Sequence, residues 1–241
     1  MKKERICKAE NRNQTRKTAV LQRPYPSICQ ESAASYGGNQ QWFPAKTVQN
    51  YGCGLIGAAD LLLYLTGEHS EYLFSMEDYL NWIRKLRWYF PLIPGFGMPG
   101  WFLSAGLNLY FRFHRLPFRA SWGTGRRILE EEIVRMLQAD LPVILSVGAP
   151  FPFFWKKAGV TLYRRAEDES LVPVCRIRAH YVTVTAIREE TLVVSSWGCR
   201  YEIKKEEYED YVRSCSNRLF SSICRITRRG RSATGFFGRK G

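Results

Sequence analysis

The chain has 241 residues, is 45% hydrophobic and 14% aromatic, and carries a net charge of +14. That is enough apolar material for one sizeable core, which excludes a disordered or fibrous chain. The charge is unevenly placed. Residues 1–23 hold eight Lys/Arg against two Glu, and residues 225–241 hold six against none, which leaves the body between them close to +2. A basic groove in the body is therefore not expected, and nucleic acid or an anionic surface is a partner for the two terminal segments only. The expected organisation is a basic, poorly ordered lead-in over 1–30, a single domain over 31–227 and a basic flexible tail over 228–241.

Seven cysteines stand at positions 7, 29, 53, 175, 199, 215 and 224. An odd number without dense, regular spacing argues against a disulfide scaffold, and the lack of any C-x-x-C pair argues against structural zinc. A reducing, cytoplasmic setting is expected, with no cofactor and no metal. No apolar run follows the basic amino terminus, so no signal peptide is read there. Trp88 to Phe111 lacks charge for 24 positions. Its prolines at 91, 94 and 99 break any regular helix in the first half, which predicts a loop entering a helix rather than a membrane span.

In chain order, Tyr36 to Pro44 is an aromatic, turn-rich stretch. A first helix is predicted from Cys53 to about Thr66, with Gly67 at its left-handed end; it is apolar on nearly every side and should be buried centrally. Ser75 followed by Asp78 opens a second helix through about Trp88. A third runs from Gly100 to Arg115 and a fourth from Arg126 to Ala139. The pattern then changes. Leu141–Val147 reads as a buried strand, with further strands over Val160–Arg164, Val172–Ile187, Thr191–Trp197, Tyr201–Ile203 and Phe220–Thr227, and a short helix over Glu206–Arg213. Helices first and strands second give an α+β fold: a helical amino-terminal half and a mostly antiparallel carboxy-terminal sheet.

Two residues suggest chemistry. Gly52-Cys53-Gly54 carries a thiol onto the first turn of an apolar helix, where unsatisfied N–H groups favour thiolate; a buried cysteine can equally pack as a small hydrophobe. Of the three histidines, His69 lies in a polar turn and His114 sits beside Arg112 and Arg115. His180 lies in a predicted strand, 127 residues after Cys53. That separation is close to the roughly 130–150 between nucleophile and base in papain-like enzymes. The strand Thr191–Trp197 ends in Ser195-Ser196-Trp197-Gly198.

In these motifs the sequence resembles papain-like cysteine peptidases. Gly52-Cys53-Gly54 is similar to the cysteine-bearing turn, His180–Val184 to the histidine strand, and Ser195-Ser196-Trp197-Gly198 to the family's Asn-Ser-Trp-Gly segment. Leu141–Val147 is also similar to bacterial members, including the double-glycine leader peptidases of bacteriocin exporters. The likeness spans about residues 36–205. It implies a papain-like fold and a thiol hydrolase acting on amide bonds of a peptide or protein, with Cys53 and His180 as a thiolate–imidazolium pair. Matching Trp197 and Gly198 puts Ser195 where the family orients the imidazole with Asn or Asp, and Trp197 would shield the pair. The backbone N–H of Cys53 would be one oxyanion donor. Thr47 stands near the family's glutamine, so Gln49 is favoured as the second donor, with Asn50 close behind and Gln40 or Gln41 as remote options. Asp60, seven residues after Cys53 on the same helix, could approach the site, with helix packing or a solvent-facing position as the expected role. The alternative is an inactive papain-like fold kept as a binding or regulatory module, its basic tails contacting an anionic partner.

Overall fold

The computed structural model describes residues 18–30, 33–67, 74–95, 97–152 and 157–229. His69 and most of both basic terminal segments lie outside these residues. Among the described residues the fold is α+β, with six α-helices and a large antiparallel sheet.

The cysteine helix forms as the sequence predicts. A short helix α1 (Lys46–Tyr51) breaks at Gly52, and α2 (Cys53–Thr66) follows, ending at Gly67 with φ 68°. Leu55, Ile56, Leu61, Leu62 and Leu63 of α2 are all buried. Each such side chain is worth about 1.5–3 kcal/mol when fully removed from water, so α2 is held by its surroundings on every side. Helix α3 (Met76–Leu86) begins at Ser75, whose hydroxyl oxygen accepts from the Asp78 N–H at 3.1 Å and whose O–H donates to the Asp78 carboxylate at 2.7 Å. The uncharged Pro/Gly segment is a loop that enters α4 (Gly100–Phe113) at Pro99, and α5 (Leu129–Gln138) packs its Ile133, Met136 and Leu137 inward. The last helix is α6 (Lys205–Cys215).

The strands of the main sheet are β1 (Ala19–Val20), β5 (Phe118–Trp122), β6 (Val143–Val147), β7 (Val160–Arg165), β8 (Leu171–Ile177), β9 (His180–Ile187), β10 (Thr191–Ser196), β11 (Cys199–Lys204) and β12 (Ile223–Arg228). Their order is β5-β12-β6-β9-β10-β11-β7-β8, with β1 added on β9, and β5 and β8 are the edges. Every residue of β6 is buried, as expected of a continuous apolar run in the middle of a sheet. The predicted strand over 172–187 is two strands, turning at Ala179 with φ 48°. Helix α2 packs against β9 and β6, which brings the start of the helix to the start of β9. A small sheet of β2 (Ile28–Gln30), β3 (Ala33–Ala34) and β4 (Phe74–Ser75) lies beside it.

The lead-in departs from expectation over residues 18–30, which are part of the domain. Ala19 and Val20 pair with Ile187 and Ala186 where β6 no longer flanks β9, and Leu21, Tyr25 and Ile28 are buried. These anchors show no helical or strand period because each fills a different site. Asp140 fastens them: its carboxylate accepts from the Gln22 N–H at 2.9 Å, from Arg23 Nε at 2.7 Å and from the Tyr64 hydroxyl. Asp140→Ala should therefore lower stability by about 1–3 kcal/mol in urea titration and speed amide hydrogen exchange at Leu21 more than in β6.

Candidate active site

Cys53 is the first residue of α2. It is half-buried, and the backbone N–H groups of Tyr181, Gly54 and Cys53 itself favour its thiolate. His180 is the first residue of β9, paired with Val147 of β6, and is 7% exposed. Both line one pocket of about 20 Å³, together with Gln40, Asp60, Ser195, Ser196 and Trp197. That space is enough for about one water. The ring of Trp197 stacks on the His180 imidazole, with centroids 4.6 Å apart and planes at 29°. Trp197 thus sits where shielding was expected. Its backbone is left-handed, φ 50°, in the tight turn that joins β10 to β11.

The histidine partner differs from expectation. His180 Nε2 lies 2.8 Å from Ser196 Oγ, whereas the Ser195 hydroxyl donates to the Tyr36 carbonyl at 2.7 Å. Successive residues of a strand face opposite sides of the sheet. Ser195, paired with Thr183, faces α2, and this leaves Ser196 toward the ring. The β9–β10 register also slips by one between Val193 and Val194, and a slip of one exchanges faces. Counting back from the Trp-Gly pair does not reveal that slip. Among the described residues, the ring's hydrogen-bond partner is Ser196, not the thiol.

The favoured amides are also displaced. Gln49 donates from Nε2 to the Phe43 carbonyl at 2.6 Å and accepts from Lys46 Nζ at 2.9 Å, so its side chain is committed to α1 and the preceding loop. Asn50 is exposed, and neither lines the pocket. Gln40 does. It opens a 3₁₀ turn, Gln40–Trp42, is buried, and donates from Nε2 to the Gln49 carbonyl at 2.5 Å. One N–H of its amide remains for another acceptor. Thirteen residues before Cys53, Gln40 is brought in by the loop that leads to α1.

Burial decides the charge states. It pushes the Cys53 thiol above its ordinary value despite the three backbone N–H groups, and it pushes His180 down to about 4. Burial thus favours a thiol and a neutral imidazole over the thiolate and imidazolium that the resemblance implies, because desolvation opposes both charges. Asp60, expected in helix packing or at the surface, is 2% exposed and forms part of the pocket wall. Burial raises its carboxyl to about 6, against hydrogen bonds from Gly38, Tyr79 and Tyr25. A lone acid in the otherwise apolar stretch Leu55–Leu65 was the available signal for it.

Among the described residues no group of three or more His, Cys, Asp or Glu could hold a metal ion, and no helix is long and apolar enough to cross a membrane. Compared with models of protein families, with curated proteins and with solved structures, the chain matches none.

Proposed function

We propose that the chain is a papain-like cysteine peptidase, a thiol hydrolase of peptide or protein amide bonds. The observation that carries this reading is the shared pocket: Cys53 at a helix start and His180 at a strand start, the ring tied to Ser196 and covered by Trp197, with the Gln40 amide in the same wall. With Nε2 donating to Ser196, Nδ1 is left as the base. As the Cys53 sulfur bonds to the substrate carbonyl carbon, its proton passes to Nδ1. The oxyanion is met by the Cys53 N–H and the free Gln40 N–H. His180 returns the proton to the leaving amine as the C–N bond breaks, and water then releases the acyl group as acid and restores the thiol. Moving the proton only during attack suits a pair that burial keeps neutral.

A second reading, a papain-like fold kept as a binding module, is favoured by that same burial and by the small pocket. p-Nitrophenyl acetate separates the two, since it needs no substrate specificity. Hydrolase chemistry predicts a nitrophenolate burst and an acetyl group on Cys53 by mass spectrometry, both abolished in Cys53→Ser. Acetylation of Cys53 no faster than that of the other cysteines would leave the binding reading standing.

A further inference from the structure

Tyr36-Gly37-Gly38-Asn39-Gln40 makes more tertiary bonds than a five-residue loop requires. Its backbone is fastened on three sides. Tyr36 N–H donates to the Gly198 carbonyl at 2.8 Å and Gly198 N–H donates to the Gly38 carbonyl at 2.9 Å, which joins the segment to the turn that carries Trp197. The Ser195 hydroxyl donates to the Tyr36 carbonyl. The Gly38 N–H donates to Asp60 Oδ2 at 2.9 Å, while Tyr79 donates to Oδ1 at 2.7 Å and Tyr25 to Oδ2 at 3.4 Å. The two glycines permit this: a Cβ on Gly37 would meet Ser195 Oγ and Asp60 Oδ2, and one on Gly38 would overlap Tyr79 Oη. Asp60 is on the helix that starts with Cys53, and Ser195 precedes the serine that holds His180.

We infer that Asp60 and Ser195 are positioning residues, which act through the Tyr36–Gly38 backbone to set the Gln40 amide against the Cys53 reaction centre. The inference rests on the hydrolase reading above. It assigns Ser195 a part in catalysis other than orienting the histidine, and it explains a buried carboxylate inside an apolar helix. A carboxylate accepts three donors at once here. An amide in its place offers one acceptor oxygen and turns two donors toward N–H and O–H groups.

The test compares two reactions of Cys53 in the full chain. Acetylation by p-nitrophenyl acetate builds an oxyanion; alkylation by iodoacetamide does not. Gln40→Ala should slow acetylation by about 100-fold, the usual cost of one oxyanion donor. Asp60→Asn should slow it by about tenfold or more without slowing alkylation, and Ser195→Ala should do so several-fold. In the Gln40→Ala background, adding either substitution should change acetylation by less than about twofold, because residues acting through one group are not additive. Multiplicative losses in the double variants, or equal slowing of both reactions, would overturn the inference. If Asp60→Asn does not fold, Ser195→Ala, which removes one hydrogen bond, decides alone. A nitrophenolate burst that survives Cys53→Ser overturns the hydrolase reading and this inference with it. Cys53-dependent acetylation with multiplicative losses overturns the inference only.

Discussion

Gly38→Ala should cost about 3 kcal/mol of stability, at the upper end of the range for an overpacked interior. The added methyl falls on Tyr79 Oη, and Tyr79 is fully buried, with its hydroxyl bonded to Asp60. Neither side can yield alone. Moving the Gly38 backbone breaks its bonds to Asp60 and Gly198, and moving Tyr79 leaves a carboxylate oxygen unpaired. Denaturant titration gives the stability, and acetylation of Cys53 in the folded fraction should fall as it does for Gln40→Ala. Tyr79→Phe removes the hydroxyl but leaves ring Cζ and Cε1, which the methyl would still overlap, so the double variant Gly38→Ala/Tyr79→Phe should be only slightly less unstable than the two single losses added together. An alanine tolerated at 38 with unchanged stability would contradict the close approach.

The pocket also predicts two opposite pH slopes in stability. His180 is held near 4, below its ordinary 6.5, so between those values the unfolded chain binds more protons and folding gains stability as pH rises. Asp60 is held near 6, above its ordinary 3.8, so in that window the folded chain binds more protons and stability falls as pH rises. Each shift corresponds to about 3 kcal/mol across its window. The two nearly cancel between pH 4 and 6, and their sum should be flat in the intact protein. His180→Ala unmasks the Asp60 slope, with stability falling by about 3 kcal/mol from pH 4 to 6. Asp60→Asn unmasks the histidine slope, with stability rising by a similar amount from pH 4 to 6.5. Denaturation midpoints measured at half-unit intervals would show both, and parallel curves for the two variants would refute the assignment. In activity, the neutral base gives a rise through about pH 4, and loss of the Asp60 proton, which completes the carboxylate that positions Gln40, adds a second rise near 6.

The sequence carried the elements whose cause is local. Helix α2 begins and ends where the Gly52–Cys53 turn and Gly67 place it, Ser75 caps α3 through Asp78, and β6 is buried throughout. Strand β5 went unread because Arg119 and Ser121 interrupt a five-residue run, and α1 because its capping residue, Ala45, offers no side-chain bond. The site was legible to the extent that it depends on sequence neighbours: Cys53, His180 and Trp197 meet in one pocket. Ser196 stood outside the expected residues and Gln40 was only a remote option, for another reason. Which serine faces the ring depends on a register slip between two strands, and which amide lines the pocket depends on a loop pinned by residues more than a hundred positions away. Neither is a property of any short motif.

Strand β8 closes one side of the main sheet, with Val172 and Val174 exposed on an edge that no other strand covers among the described residues. An open apolar edge of seven residues is a template on which further strands can add, and so a route to fibrils or to strand exchange between molecules. Pro173 sits between the two valines and has no N–H to offer, and Arg176 adds a charge three residues on. The proline therefore acts as a guard on self-association: Pro173→Val would leave the fold and the cysteine pocket in place while making the chain more prone to aggregate on standing.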